Sequence, residues 1–344
     1  MVAKILYISV HTVLEYDDLR ILTRAGYQVF SLGVFAKPGR AFQHLRPFQP
    51  EFLSLDDLTI AEREGWLTRQ DKYPLAPRLT AEFLDRFDVM IVNHHPAIIL
   101  ENADLLFSRQ RLQVIFRSVG QVSFEFEAAL KPFADRLIVV RYSPREHHPD
   151  LMKTDAVIRF GKYSDEFPAW IGGDRLLTFM HNAAIRPYRT PSIADYQQIV
   201  EGHPADLCGR GNKGIGTARG EVDYSTQMEL YRSCRAYIYM HSDGACYTLN
   251  FIEATLTGAP ILVPSATLIK ATNPPNWWPE RYEIPDLLAD TGFVYSSVAE
   301  AREILSHLEE FDLASISSRS RARARDLFDA RRIEREWRDL IEAR

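Results

Sequence analysis

Short apolar runs of strand length recur along this chain in two series, and no other feature constrains its fold as much. The first series is Ile5–Val10, Tyr27–Leu32, Val89–Val92, Val114–Phe116 and Leu137–Val140. The stretches between these runs are long enough for crossover helices. One of them, Glu15–Thr23, is amphipathic and closed by Ala25-Gly26. Mostly unbroken apolar strands joined by helices predict a parallel sheet covered on both faces.

The same grammar restarts after Trp170-Ile171-Gly172-Gly173, which reads as a domain junction. Leu176–Met180, Ala205–Cys208, Ala236–Met240, Ala259–Val263 and Gly292–Tyr295 are the strands of the second series. Helical patterns over Ile193–Val200, Ser225–Ser233, Leu249–Thr257 and Val298–Leu308 alternate with them. The expectation is an α/β protein of two Rossmann-like domains facing each other across a cleft, residues 1–168 and 169–312. Residues 313–344 are helix-rich and expected to pack back on the first domain. Their nine arginines against six acids read as a solvated helical face.

At 344 residues, 46% hydrophobic and 25% charged, the composition is globular and excludes collagen-like, low-complexity and largely disordered chains. Lys and Arg number 41 against 46 Asp and Glu, a formal net charge of −5, so any nucleic-acid contact has to be a local patch. Cys208, Cys234 and Cys246 form no CxxC pair, which points to a reduced, cytoplasmic protein. No run reaches the ~18 apolar residues of a membrane span. There is no HExxH motif, no Cys/His cluster and no isolated DxD, so no metal site and no obligatory cofactor are expected.

Ligands of open parallel sheets bind beyond the carboxyl ends of the strands, so candidate residues should follow the apolar runs. After Leu176–Met180 come Arg186 and Arg189, whose guanidinium forks can meet on one diphosphate; ordinary exposed arginines are the alternative. After Ala205–Cys208, Gly209, Gly211 and Gly214 have GxGxxG spacing around Arg210 and Lys213, although no helical pattern follows directly. After Ala236–Met240 come a glycine-containing loop, the helix bearing the lone carboxylate Glu253, and a Gly258-Ala259-Pro260 turn. The loops of the first domain offer Glu15 or Asp17 as a general base, with His94 and His95 next. Structural roles are the alternative for each. The irregular stretch between Phe35 and Lys72 carries Lys37, Arg40 and Arg46 and reads as an acceptor-binding loop or a surface excursion.

The order of parts from Tyr231 through Gly258-Ala259-Pro260, with Tyr282-Glu283-Ile284-Pro285-Asp286 and Gly292-Phe293-Val294, resembles the nucleotide-sugar signature of GT-B glycosyltransferases. The resemblance covers residues 170–300. It implies a nucleotide-sugar donor, UDP-linked by preference, bound on the second domain. Arg186 and Arg189 would lie at its diphosphate, together with Gly209 and Arg210. The start of the helix, Thr248, Leu249 and Asn250, would face the phosphates, and Glu253 would accept from the ribose hydroxyls. The large retaining family of this fold carries a further carboxylate eight positions before Glu253, where this chain has Ala245.

The segment Tyr247–Glu253 is also similar to the phage DNA β-glucosyltransferase. That similarity implies hexosyl or pentosyl transfer to a 5-hydroxymethylpyrimidine in double-stranded DNA, in the host cytoplasm if the chain is phage-encoded. Arg40, Arg46, Arg117, Trp277 and Trp278 would then bind the acceptor, Arg117 belonging to a basic stretch with Arg109 and Arg111 that has no acid between Asp104 and Glu125. A saccharide or small-molecule acceptor is the alternative, and a non-catalytic nucleotide-sugar-binding protein, monomeric or dimeric, is a second one.

Overall fold

The structure is a computed structural model that describes residues 2–9, 11–33, 55–66, 78–94, 96–120, 124–185, 189–242, 245–272 and 279–343. Two compact units emerge, Met1–Gly161 with Ala330–Arg344, and Lys162–Asp329.

The first unit holds β1 (Lys4–Ser9), β2 (Gln28–Ser31), β3 (Val89–Asn93), β4 (Gln113–Arg117), β5 (Leu137–Arg141) and β6 (Ala156–Val157). They form one parallel sheet in the order β2-β1-β3-β4-β5-β6. Every residue of β3 and β5 is buried, as strands covered on both faces require. The helices are α1 (Thr12–Arg24), α2 (Leu55–Arg63), α3 (Ala81–Leu84), α4 (Ala97–Glu101), α5 (Ala103–Phe107) and α6 (Phe124–Leu130). The His11 side chain caps α1 by accepting from the Leu14 N–H. The helix Ala330–Glu342 also belongs to this unit; its Ile333 meets Gly161, and its Trp337 is fully buried.

The second unit repeats the plan with β7 (Leu176–Phe179), β8 (Arg189–Thr190), β9 (Ala205–Cys208), β10 (Ala218–Gly220), β11 (Ala236–Ile238), β12 (His241–Ser242), β13 (Ile261–Pro264) and β14 (Phe293–Tyr295). Its parallel sheet runs β10-β9-β7-β11-β13-β14, and β8 pairs antiparallel with β12 beside it. The helices are α7 (Ile193–Val200), α8 (Tyr224–Ser233), α9 (Leu249–Thr257), α10 (Ala266–Thr272), α11 (Ile284–Leu288), α12 (Val298–Ser306) and α13 (Leu313–Phe328).

α9 ends at Gly258, whose left-handed φ of 83° favours glycine. A Cβ there would lie 2.5 Å from Ser317 Oγ on α13, so the Gly-Ala-Pro turn also lets α13 lie close against α9. The arginines of α13 are not a plain solvated face. Arg323 donates to the carbonyls of Asp286 and Leu287 at the end of α11, and Arg319 donates to that of Asp290.

Each sheet has a switch point beside its first strand. β1 is flanked by β2 and β3, and β7 by β9 and β11. There the crossovers leave in opposite directions and a crevice opens at the carboxyl edge.

Candidate functional site

At the carboxyl edge of the second unit the loops after β7 and β9 are tied together. Asn212 is buried and donates through Nδ2 to the carbonyls of Met180 and Gly209, while its Oδ1 accepts from the Ala183 N–H at 2.8 Å. The Arg210 N–H donates to His181 Nδ1 at 3.1 Å, and the Asn182 N–H to the Arg210 carbonyl at 2.8 Å. Gly209 has a φ of 125°, and a Cβ there would sit 2.5 Å from the Met180 carbonyl oxygen. Asn212 and Gly209 therefore knot the two loops together, with the Arg210 side chain exposed beside them. Arg189 stands nearby in sequence on β8, half-buried.

α9 begins at Thr248 with extended backbone and no side-chain cap. The first N–H groups of α9, with Leu249 and Asn250 half-buried, present the positive end of the helix dipole. One turn further on, Glu253 is 1% exposed. Lys162 Nζ meets its Oε1 at 2.9 Å, and Gln227 Nε2 donates to its Oε2 at 2.5 Å. Lys162 is itself buried and fixed through its backbone, its N–H donating to the Phe328 carbonyl at 2.9 Å. The sequence named Glu253 and missed both partners, which lie 91 and 26 positions away.

After β11, His241 is fully buried, its ring edge-on to Tyr282 with centroids 4.6 Å apart. Burial, reinforced by the Arg281 guanidinium, pushes its pKa down to about 3, so the imidazole is neutral at ordinary pH. The antiparallel pairing of His241 with Thr190 brings the neighbour of Arg189 to this edge.

At the carboxyl edge of the first unit, Glu15 is fully buried and accepts from Ser31 Oγ at 2.7 Å. A Cβ on Gly33 would lie 2.3 Å from its carboxyl, so the backbone covers this acid. Asp17 is buried as well, whereas His94 is half-exposed with a left-handed φ of 77°, directly after β3. A non-glycine residue in that conformation carries strain, and such strain clusters at functional sites.

The structure corrects the reading of Arg117 as an acceptor contact. Arg117 is fully buried, paired with Asp18 and packed over the Phe160 and Trp337 rings at 5.3 and 5.1 Å. Asp18 also accepts from the Tyr7 hydroxyl at 2.6 Å, and Asn93 donates to that hydroxyl at 2.7 Å. Burial, then the nearby Asp18 charge, holds the Tyr7 phenol well above its ordinary value, so it stays a donor. The basic end of β4 is thus interior. Arg109, from the same basic stretch, pairs with Asp85 at 2.8 Å.

Arg40, Arg46, His95, Arg186, Trp277 and Trp278, and Lys37 with them, lie outside the described residues. Among the described residues no group of His, Cys, Asp and Glu is arranged to hold a metal ion, and no helix is long and apolar enough to cross a membrane.

No family model matches the chain. No curated protein matches it either. Solved structures do. Anabaena Alr3699/HepE in complex with UDP-glucose aligns with a TM-score of 0.65 at 14% identity, over 99% of this chain and all of that one. A glycosyltransferase from Rickettsia africae aligns with a TM-score of 0.65 at 12% identity, over 99% of this chain and 98% of that one. AviGT4, a glycosyltransferase involved in avilamycin A biosynthesis, aligns with a TM-score of 0.51 at 14% identity, over 99% of both chains. At these identities the likeness establishes architecture: the chain has the GT-B fold, two Rossmann-like α/β units joined in tandem.

Proposed function

We propose that the protein is a glycosyltransferase that takes a UDP-sugar on its second unit and transfers the sugar to an acceptor hydroxyl. The observation that carries this is an end-to-end likeness to glycosyltransferase-fold structures, among them Alr3699/HepE with UDP, with UDP and glucose, and with UDP-glucose. The loop geometry supports it, because the knot after β7 and β9 and the uncapped start of α9 stand at the switch point where such folds take anionic ligands.

In this reading Arg189, Arg210 and the Thr248–Asn250 turn offset the diphosphate charge, with Arg186 as the partner of Arg189. No metal ion is required. The pentose end of the donor lies toward Glu253 and its neighbours. As the bond from the anomeric carbon to the diphosphate oxygen breaks, charge grows on the leaving group, and guanidinium donors fixed beforehand stabilise that charge. The acceptor oxygen bonds to the anomeric carbon and loses its proton. His94, half-exposed and strained at the other switch point, is the base we assign on the acceptor side ahead of the covered Glu15 and Asp17.

The burial of Arg117 and the pairing of Arg109 favour a saccharide or small-molecule hydroxyl over DNA bearing a hydroxymethylpyrimidine.

The test is calorimetric titration with UDP and UDP-glucose, followed by assay of UDP release with candidate acceptors. Binding in the micromolar range and acceptor-dependent release are expected. Absence of any UDP binding overturns the proposal. Binding with no release, to any acceptor or to water, leaves a nucleotide-sugar-binding protein.

A further inference from the structure

We infer that Gln227, rather than the carboxylate of Glu253, reads the pentose hydroxyls of the donor, and that Lys162 and Glu253 are the positioning residues behind it. The inference rests on the nucleotide-sugar reading and deepens it.

Exposure carries the first step. Glu253 is 1% exposed and Lys162 4%, whereas Gln227 is half-buried, so a ligand arriving from solvent meets the amide before the carboxylate. Hydrogen-bond chemistry carries the second. An ionised carboxylate only accepts, and the Glu253 oxygens accept from Lys162 at 2.9 Å and Gln227 at 2.5 Å. Gln227 must therefore turn its NH2 group toward Glu253, which removes the usual ambiguity of an amide flip and sets its carbonyl oxygen on the opposite side. That oxygen has two lone pairs, and a vicinal diol offers two O–H donors.

Topology carries the third step. α8 follows β10 and runs back toward the start of β11, so its first turns lie at the carboxyl edge of the parallel sheet, where α9 also begins. Asp223 caps α8 by accepting from the Thr226 N–H at 2.7 Å, and the Gln227 N–H donates to the Asp223 carbonyl at 2.9 Å. The backbone at Gln227 is thus tied to the cap of its helix. A buried ion pair is poor value for stability alone and is better attested as a device that sets register. Here the Lys162–Glu253 pair sets the orientation of one amide.

The experiment compares UDP, 2′-deoxy-UDP and 3′-deoxy-UDP by calorimetry on the full chain, with melting curves for each variant. The unaltered protein should prefer UDP by on the order of tenfold, the scale of one or two neutral hydrogen bonds. Gln227→Met should bind all three within about twofold while melting cooperatively. In Gln227→Glu two adjacent carboxyls must share a proton, so the preference for UDP should fade as pH rises, whereas in the unaltered protein it stays flat. If the unaltered protein binds UDP and the deoxy analogues alike, the inference fails and the nucleotide-sugar reading stands. A folded Gln227→Met that still discriminates likewise returns the reading role to Glu253. If Gln227→Met does not fold, the pH response of Gln227→Glu decides, a flat profile overturning the inference. No UDP binding at all removes both readings.

Discussion

Replacing Glu253 by glutamine keeps its shape and removes its charge. The carboxylate is 1% exposed and stands 2.9 Å from an ammonium that is itself only 4% exposed. Taking one partner from a buried pair leaves the other charge in a poorly solvating interior, at a cost of about 3–5 kcal/mol. For a unit of this size that corresponds to a melting point lower by roughly 6–20 °C, each kcal/mol being worth about 2–4 °C. Urea unfolding followed by circular dichroism measures the loss in Glu253→Gln and in Lys162→Met. In the double variant no charge is stranded, so its loss should fall short of the sum of the single losses by about 1–3 kcal/mol. A Glu253→Gln protein as stable as the original, or strictly additive losses, would refute the claim that these groups stabilise each other in the interior. The same cycle separates structure from ligand recognition, since it is read without nucleotide.

Other expectations can be checked alongside it. His241 titrates near 3 when folded and near 6.5 when unfolded, so the unfolded state binds more protons between those values and stability falls as pH drops through that window. His241→Leu should flatten this acid limb of the denaturation profile, and an unchanged limb would contradict the assignment. Gly209→Ala forces a residue with a Cβ into a φ of 125° against the Met180 carbonyl. It should cost about 1–3 kcal/mol and weaken UDP binding together with stability, both measurable by thermal shift with and without nucleotide. Arg117→Leu strands the buried Asp18 carboxylate and should destabilise the protein by about 3–5 kcal/mol in urea titration; a loss below about 1 kcal/mol would mean that Arg117 is not a core group. Transfer activity should survive excess EDTA, and its abolition, with recovery on adding a divalent cation, would show that the guanidinium groups do not suffice for the diphosphate.

Much of the architecture could be read from the chain because it depends on local pattern. Buried runs such as Val89–Val92 and Leu137–Val140 became strands of parallel sheets, and the stretch Ile193–Val200 became α7 under a Ser192 cap. Two-residue strands such as β6 and the β8–β12 pair carry too little periodicity to be seen that way. The site residues divide along the same line. Gly209 in its turn and Gly258 at the end of α9 are marked by glycine chemistry, and the start of α9 is read only from its likeness to a known signature. Lys162 reaches Glu253 across 91 positions, and nothing in the residues around either one signals the other. The error over Arg117 has a related cause. A run of arginines without intervening acids looks exposed, but Asp18 and the Trp337 ring approach from 99 positions before it and 220 after.

The first unit is finished by the helix Ala330–Glu342, whose Trp337 lies fully buried against the Arg117 guanidinium. On a translating ribosome all six strands of that sheet emerge before the second unit, yet the indole that covers their buried ion pair is decoded after it. The nascent sheet must therefore wait, partly uncovered, while 168 intervening residues are made, and transiently exposed apolar surface of that kind is what makes folding intermediates prone to aggregate.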